Sequence, residues 1–424
     1  MATYNLPSEW SLELCKVKEA WEITPPNPNG ASFGEGIIIG HADTGWTNHP
    51  ELLQGSNYLT SYPVSRNFFL PSTIPSGTAA HFLSGEDLMS HDEGPIRAFD
   101  GHGTSTASVL ASGEGHPNNP PPAPPPPPFP SYTVPTTAFV TGVAPKAQVL
   151  PVRVSSDVEL GNEETDIVET VGRIWDTYYS VNTYNKLAQA IEYLRKYSIS
   201  GPLVPEMGVI SISMAGSSFS RILFGALINA RKAGVIVCAA TGHLISWLPD
   251  SILLAGILYP ASDPSTIAVA GCDNLSVPSP AGFYSSKVDI VAPGFGVRVA
   301  DTSGNEWVSG PRPSRNFVMN TNGQGTSHSA PFVAGACALW QAFHGRSNLI
   351  SRYTAPLLFD AFKHCLQSSA RVPSGWNTSL HGAGVINVED LLNCSLPTLA
   401  VIETAASSAG WTAAIRNAPI EDIE

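Results

Sequence analysis

Charge is the first thing in short supply. Only 13% of the 424 residues are Asp, Glu, Lys or Arg, and no Lys/Arg run occurs. That argues against a nucleic-acid footprint. The net charge of −13, from 22 basic and 35 acidic residues, reads as an acidic solvated surface. Cysteine pairs are missing too: Cys15, Cys238, Cys272, Cys337, Cys365 and Cys394 are scattered without a CxxC, which excludes a zinc ribbon. Cys238, Cys272 and Cys337 sit in apolar runs and read as small buried hydrophobes, while a disulfide through Cys365 or Cys394 stays open. No apolar run reaches membrane-spanning length, so no membrane association is expected. The opening MATYNLPSEW shows no basic segment followed by an apolar one, so no signal peptide is legible. What remains in quantity is apolar content, 43% of the chain, enough for one large α/β core.

Strand-like and helix-like segments alternate. GIIIGHAD (Gly36–Asp43), AQVLPVRV (Ala147–Val154), GVISISMAG (Gly208–Gly216), GVIVCAATG (Gly234–Gly242) and STIAVAGC (Ser265–Cys272) are nearly continuous apolar runs, as expected of parallel strands covered on both faces. Between them, Thr183–Tyr197 carries Leu187, Ile191 and Leu194 on one stripe, and Phe219–Lys232 ends before Gly234, a C-cap residue. The pattern predicts a doubly wound, mostly parallel α/β sheet with helices on both faces. Residues 1–396 read as one domain with insertions near 54–97 and 114–137, and 397–424 as a C-terminal tail. The second insertion contains PNNPPPAPPPPPFP (Pro117–Pro130), whose composition dictates extended polyproline. It reads as an exposed loop; a ligand for a proline-recognising domain is the sharper alternative.

Three glycine-flanked polar residues stand where strands or turns meet helices: Asp43 in GHADTGWTNHPEL, His102 in FDGHGTSTASVLAS and Ser327 in GQGTSHSAPFVAGA. Each alone is weak, since Asp-Thr-Gly is commonly a turn and Gly-His-Gly a loop. A serine hydroxyl needs a neighbouring base to act as a nucleophile. A histidine provides one, and an aspartate holds the histidine in the right tautomer. Glycines at 101, 103 and 325 allow close approach. Ser327 is expected at the start of a helix whose free N–H groups point at the reacting centre, with Pro331 in the first turn, where no N–H bond is lost.

In the order Asp, His, Ser, these motifs resemble those of the subtilisin-like serine peptidases. TGVAPKAQVLPVRV (Thr141–Val154), VISISMAG, YPASDPSTIAVAGCD (Tyr259–Asp273), FYSSKVDIVAPG (Phe283–Gly294) and GAGVINVEDLL (Gly382–Leu392) extend the resemblance over roughly Trp10 to Leu396. It implies a serine endopeptidase acting on polypeptides through an acyl-enzyme on Ser327, with His102 as base and Asp43 orienting it. It also implies a substrate cleft walled by Ser213, Met214 and Ala215 on one side and Ala239, Ala240, Thr241 and Gly242 on the other. Where relatives carry glycine, the Ala215 methyl should narrow the S1 pocket. The oxyanion would be held by the Ser327 backbone N–H and by His243, which stands where the family has asparagine. His328, where methionine is common, reads as a packing or rim residue.

Other readings stay open. The same fold with an impaired site would serve protein binding, and an acyl-enzyme resolved by an amine would make the chain a peptide ligase or transamidase. His41 shares the strand face of Asp43, and a metal held by His41, Asp43 and His102 would leave the serine motif unexplained. The expectation is therefore no metal and no required cofactor. Family calcium sites use an acid soon after the catalytic Asp, here Glu51, but the loop completing them is replaced by the proline stretch, so calcium has no support. No segment before Trp10 is long enough for the family's propeptide. The initiator Met and missing leader favour a cytoplasmic peptidase, with a secreted enzyme trimmed of leader and propeptide as the alternative.

Overall fold

The computed structural model describes residues 9–45, 58–59, 66–68, 102–112, 140–155, 183–197, 206–242, 256–279, 282–301 and 318–421. Short helices α1 (Trp10–Leu14) and α2 (Val17–Trp21) precede β1 (Ile37–Asp43), β2 (Arg66–Asn67), α3 (His102–Ala111), β3 (Gln148–Arg153), α4 (Thr183–Lys196), β4 (Glu206–Ile212), α5 (Arg221–Lys232) and β5 (Ile236–Ala240). There follow β6 (Thr266–Cys272), β7 (Ile290–Pro293), β8 (Phe295–Asp301), β9 (Val318–Gln324), α6 (Thr326–His344), α7 (Arg346–Tyr353), α8 (Leu358–Ser368), α9 (Thr378–His381), α10 (Val388–Asn393), α11 (Leu399–Ser408) and α12 (Ala413–Asn417).

The main sheet runs β2-β3-β1-β4-β5-β6-β7, and every ladder in it is parallel. The predicted doubly wound fold is what forms. The apolar runs became strands because both faces are covered: every residue of β1, β5, β6 and β7 is buried. On one face lie α3 and α6, on the other α4 and α5. The stripe Leu187, Ile191 and Leu194 of α4 is fully buried. Helix α5 begins two residues later than the sequence suggested. Ser220 caps it by accepting the Leu223 N–H, and Gly234 (φ 74°) closes it, with the Val235 N–H reaching back to the Ala230 carbonyl.

Strand order reverses beside β1, since β3 lies on one side of it and β4 on the other. The carboxyl ends of β1 and β4 therefore flank the switch point, where doubly wound sheets place their sites. Helix α6 is buried along its whole length and packs across β1, β4, β5, β6 and β7. Its small residues Ala330, Ala334, Gly335, Ala336 and Ala338 let it pack closely; a Cβ on Gly335 would stand 2.7 Å from Val143 Cβ and 3.3 Å from the Leu110 carbonyl of α3. The β8–β9 antiparallel ribbon leads directly into its first turn.

Candidate active site

Asp43 is the last residue of β1 and wholly buried. Its Oδ1 accepts the Thr44 backbone N–H at 2.7 Å and His102 Nδ1–H at 2.7 Å. Burial alone would raise the pKa of this carboxyl. The charge and hydrogen bond of His102, joined by His41, instead hold it far below the usual carboxylate range. His102 opens α3 and is 8% exposed. The approach of α3 to β1 is close enough to demand glycine at 103: a Cβ there would stand 2.1 Å from the Gly45 carbonyl oxygen. The Gly103 N–H also donates to Thr44 Oγ1 at 3.0 Å, pinning the start of α3 to the end of β1.

Ser327 is the second residue of α6, 8% exposed, behind the N-cap Gly325. Its backbone N–H is among the four at a helix start that have no intrahelical acceptor. Its hydroxyl donates to the Ser213 carbonyl at 3.2 Å, and Ser213 Oγ donates to the Ser327 carbonyl at 2.7 Å. The second bond corrects the sequence expectation for Pro331. That proline is the sixth residue of α6, not in its first turn, so the N–H that would bond the Ser327 carbonyl is lost. Ser213 replaces it from the end of β4. The first turns of α3 and α6 also meet, with Ser105 Oγ 3.4 Å from His328 Nε2. His328 is buried, 6% exposed, and packs there rather than at a rim.

Among the other expected cleft residues, Met214, Ala239, Ala240 and Thr241 are buried and Ala215 is half-buried. Gly242 sits on α6 through its N–H to Thr326 Oγ1 at 3.1 Å. Leu258 closes against it: a Cβ on Gly242 would lie 2.7 Å from Leu258 Cδ1. Beyond this wall the chain pairs antiparallel at one point, where Gly216 and Tyr259 exchange both backbone hydrogen bonds. His243, Glu51, Gly101 and the stretch Pro117–Pro130 lie outside the described residues.

Sequence reasoning missed Thr44, Thr106 and Leu258. Thr106 Oγ1 lies 3.1 Å from Asp43 Oδ2, four residues along α3 from His102, so its spacing on one helix face was the available signal. The cysteines expected to be buried are buried; Cys365 and Cys394 are free thiols, with the Cys394 sulfur 3.6 Å from Ser368 Oγ. Residues beyond 397, given no place in the sheet, form α11 and α12. Trp411 packs on the Arg231 guanidinium at 4.2 Å. Among the described residues no helix is long and apolar enough to cross a membrane.

The arrangement pairs a buried carboxylate with an imidazole on the first turn of α3, and that turn meets the first turn of α6, which carries a hydroxyl; these are the parts needed for acyl transfer. Known proteins resemble this chain over most of its length. Thermitase from Thermoactinomyces vulgaris is 25% identical over 345 residues, spanning 81% of this chain and 85% of thermitase. Subtilisin DY from Bacillus licheniformis is 26% identical over 310 residues, 73% of this chain and 81% of the relative. A solved protease structure from Pseudoalteromonas arctica superposes with a TM-score of 0.56 at 20% identity, covering 92% of this chain and 95% of that one. The subtilase family profile matches residues 34–384, and with most of its length inside that match this chain belongs to the subtilase family.

Proposed function

We propose that this serine endopeptidase works through Asp43, His102 and Ser327. The observation that carries the assignment is the 2.7 Å bond from His102 Nδ1–H to a buried Asp43. It leaves Nε2 as the basic nitrogen, on a helix whose first turn meets that of α6.

In the resting enzyme the Ser327 hydroxyl donates to Ser213. On substrate binding it turns its hydrogen to His102 Nε2, which takes the proton as the oxygen attacks the scissile carbonyl carbon. Asp43 stays ionised and stabilises the imidazolium. The negative charge on the former carbonyl oxygen falls to the Ser327 N–H at the start of α6 and to His243. His102 then protonates the leaving amine, and water resolves the acyl-enzyme by the reverse sequence. No cofactor is required for these steps.

The substrate chain is proposed to lie along Ser213–Ala215, with its P1 side chain between Met214–Ala215 and Ala239–Gly242, above Leu258. The stretch Pro117–Pro130 has the composition that proline-recognising domains bind, and we assign it that partner class. An immobilised PNNPPPAPPPPPFP peptide retaining an isolated SH3 or WW domain would support this; failure to retain any would remove it.

The triad is tested with a fluorophosphonate and a peptide substrate. Ser327→Ala, His102→Ala and Asp43→Ala should each cut turnover by orders of magnitude to a small residual rate in a folded protein, and Ser327 should carry the label. Losses should be strongly non-additive, because the three act as a unit. A double variant losing the product of the two single losses would refute the assignment. His243→Ala should lower kcat by roughly 10²–10³, the figure for the corresponding asparagine of subtilisin itself, with KM little changed. His243→Asn should recover much of it.

A further inference from the structure

Asp43 has a second oxygen, and the peptidase mechanism above does not use it. Behind it lies a second histidine. His41 points to the same face of β1 as Asp43 and is 1% exposed. Its Nε2 is 2.9 Å from Thr106 Oγ1 and 3.5 Å from Asp43 Oδ2. Thr106 Oγ1 is in turn 3.1 Å from Asp43 Oδ2. His41 Nδ1 is buried and, among the described residues, has no hydrogen-bond partner.

These contacts select one neutral tautomer. With the hydrogen on Nδ1, a buried donor would be left unmet and the Nε2 lone pair would face a carboxylate. Both cost free energy. With the hydrogen on Nε2, the ring donates to Thr106 Oγ1 and leans its N–H toward Asp43 Oδ2. The threonine hydroxyl has one hydrogen and several acceptors in reach: Asp43 Oδ2, the His102 carbonyl at 3.0 Å and the Gly103 carbonyl at 3.3 Å. An ionised acceptor is the strongest of these. Accepting from His41 also fills a lone pair of the hydroxyl and strengthens its donation to the carboxylate. The chain His41 Nε2–H, Thr106 O–H, Asp43 Oδ2 therefore runs one way. Asp43 Oδ1 meanwhile faces the Thr44 N–H and His102.

We propose that His41 is a positioning residue for catalysis: through Thr106 it fixes the plane of the Asp43 carboxylate, and so the ring of His102. The proposal rests on the triad reading above. A carboxylate gripped at one oxygen can turn about its Cβ–Cγ bond. Gripped at both, from β1 and from α3, it cannot turn without breaking a bond, and His102 Nδ1 is held with it. The device spans 65 residues of sequence and exists only because α3 packs across the end of β1.

The test compares His41→Val, His41→Gln, Thr106→Val and Thr106→Ser, with kcat expressed per site titrated by fluorophosphonate. His41→Val and Thr106→Val should lower kcat by about 10- to 100-fold, the range for a hydrogen bond to a charged group, with KM unchanged. Thr106→Ser keeps the hydroxyl and His41→Gln keeps an N–H, and each should retain most of the parent's kcat. If His41→Val does not fold, the nearly isosteric Thr106→Val and its serine counterpart decide alone. In an Asp43→Ala background Thr106→Val should cost nothing further, because the residue it acts through is gone. An unchanged kcat in Thr106→Val, a KM that rises in step with the loss, or an equal loss in the Asp43→Ala background would each overturn the proposal. Absence of label at Ser327 in the parent enzyme would instead overturn the triad reading on which it stands.

Discussion

Ser213→Ala isolates one hydrogen bond that the fold of α6 makes necessary. The Ser327 carbonyl is buried and cannot bond the residue four positions on, because that residue is Pro331. Ser213 Oγ, at 2.7 Å, replaces the missing donor. Removing it leaves a buried carbonyl unmet, at a cost of about 1–3 kcal/mol. With an unfolding entropy of about 2.1 cal/mol/K per residue over 424 residues, that lowers Tm by only about 1–3 °C. Denaturant unfolding is therefore the better assay, run in a Ser327→Ala background to prevent self-cleavage. Pro331→Ala supplies the control. An alanine there carries an N–H that can bond the Ser327 carbonyl directly, so the serine becomes redundant. Ser213→Ala should cost about 0.5 kcal/mol or less when Pro331 is alanine, giving a coupling of about 0.5–2.5 kcal/mol in the double-mutant cycle. The ring atoms lost from Pro331 and its effect on the unfolded chain cancel in the cycle. Equal costs in both backgrounds would refute the reasoning.

A peptide library should show cleavage after small or medium apolar residues, since Ala215, Ala239 and Ala240 offer no acid to a basic side chain; dominant cleavage after Arg would exclude the proposed pocket. Asp43, its pKa held low, stays ionised in the folded protein well below pH 4, so any stability it gives is fully present above the ordinary carboxylate pKa and lost progressively as pH falls below it. The acid limb of log kcat/KM should then have slope one, from His102 alone, and a slope of two would show Asp43 titrating with it. The Cys394 thiol is half-buried, whereas the other five cysteines are buried. Iodoacetamide should therefore alkylate Cys394 in the native protein well before Cys15, Cys238, Cys272, Cys337 or Cys365, and peptide mapping reads the order.

The sequence by itself determined the sheet and the identity of the candidate triad. Strands such as IIIGHAD and TIAVAGC announced themselves because burial on both faces requires an unbroken apolar run. Asp43, His102 and Ser327 were legible because each sits in a local junction whose glycines meet a local need, as Gly103 does against the Gly45 carbonyl. Only the tertiary structure decided how those junctions support one another. Pro331 looked harmless in a first turn, and its true position was visible only once α6 began at Thr326. That Ser213 answers it follows from where β4 ends beneath α6, not from any spacing along the chain. His41 was legible as a neighbour of Asp43 on one strand face, but its tie to Thr106 depends on helix packing across the sheet. The tail past residue 397 has no strong pattern of its own. It acquires a place because Trp411 finds the buried Arg231, which is also paired with Asp360 at 2.7 Å. Contacts of this kind join residues far apart in sequence, and local periodicity carries no record of them.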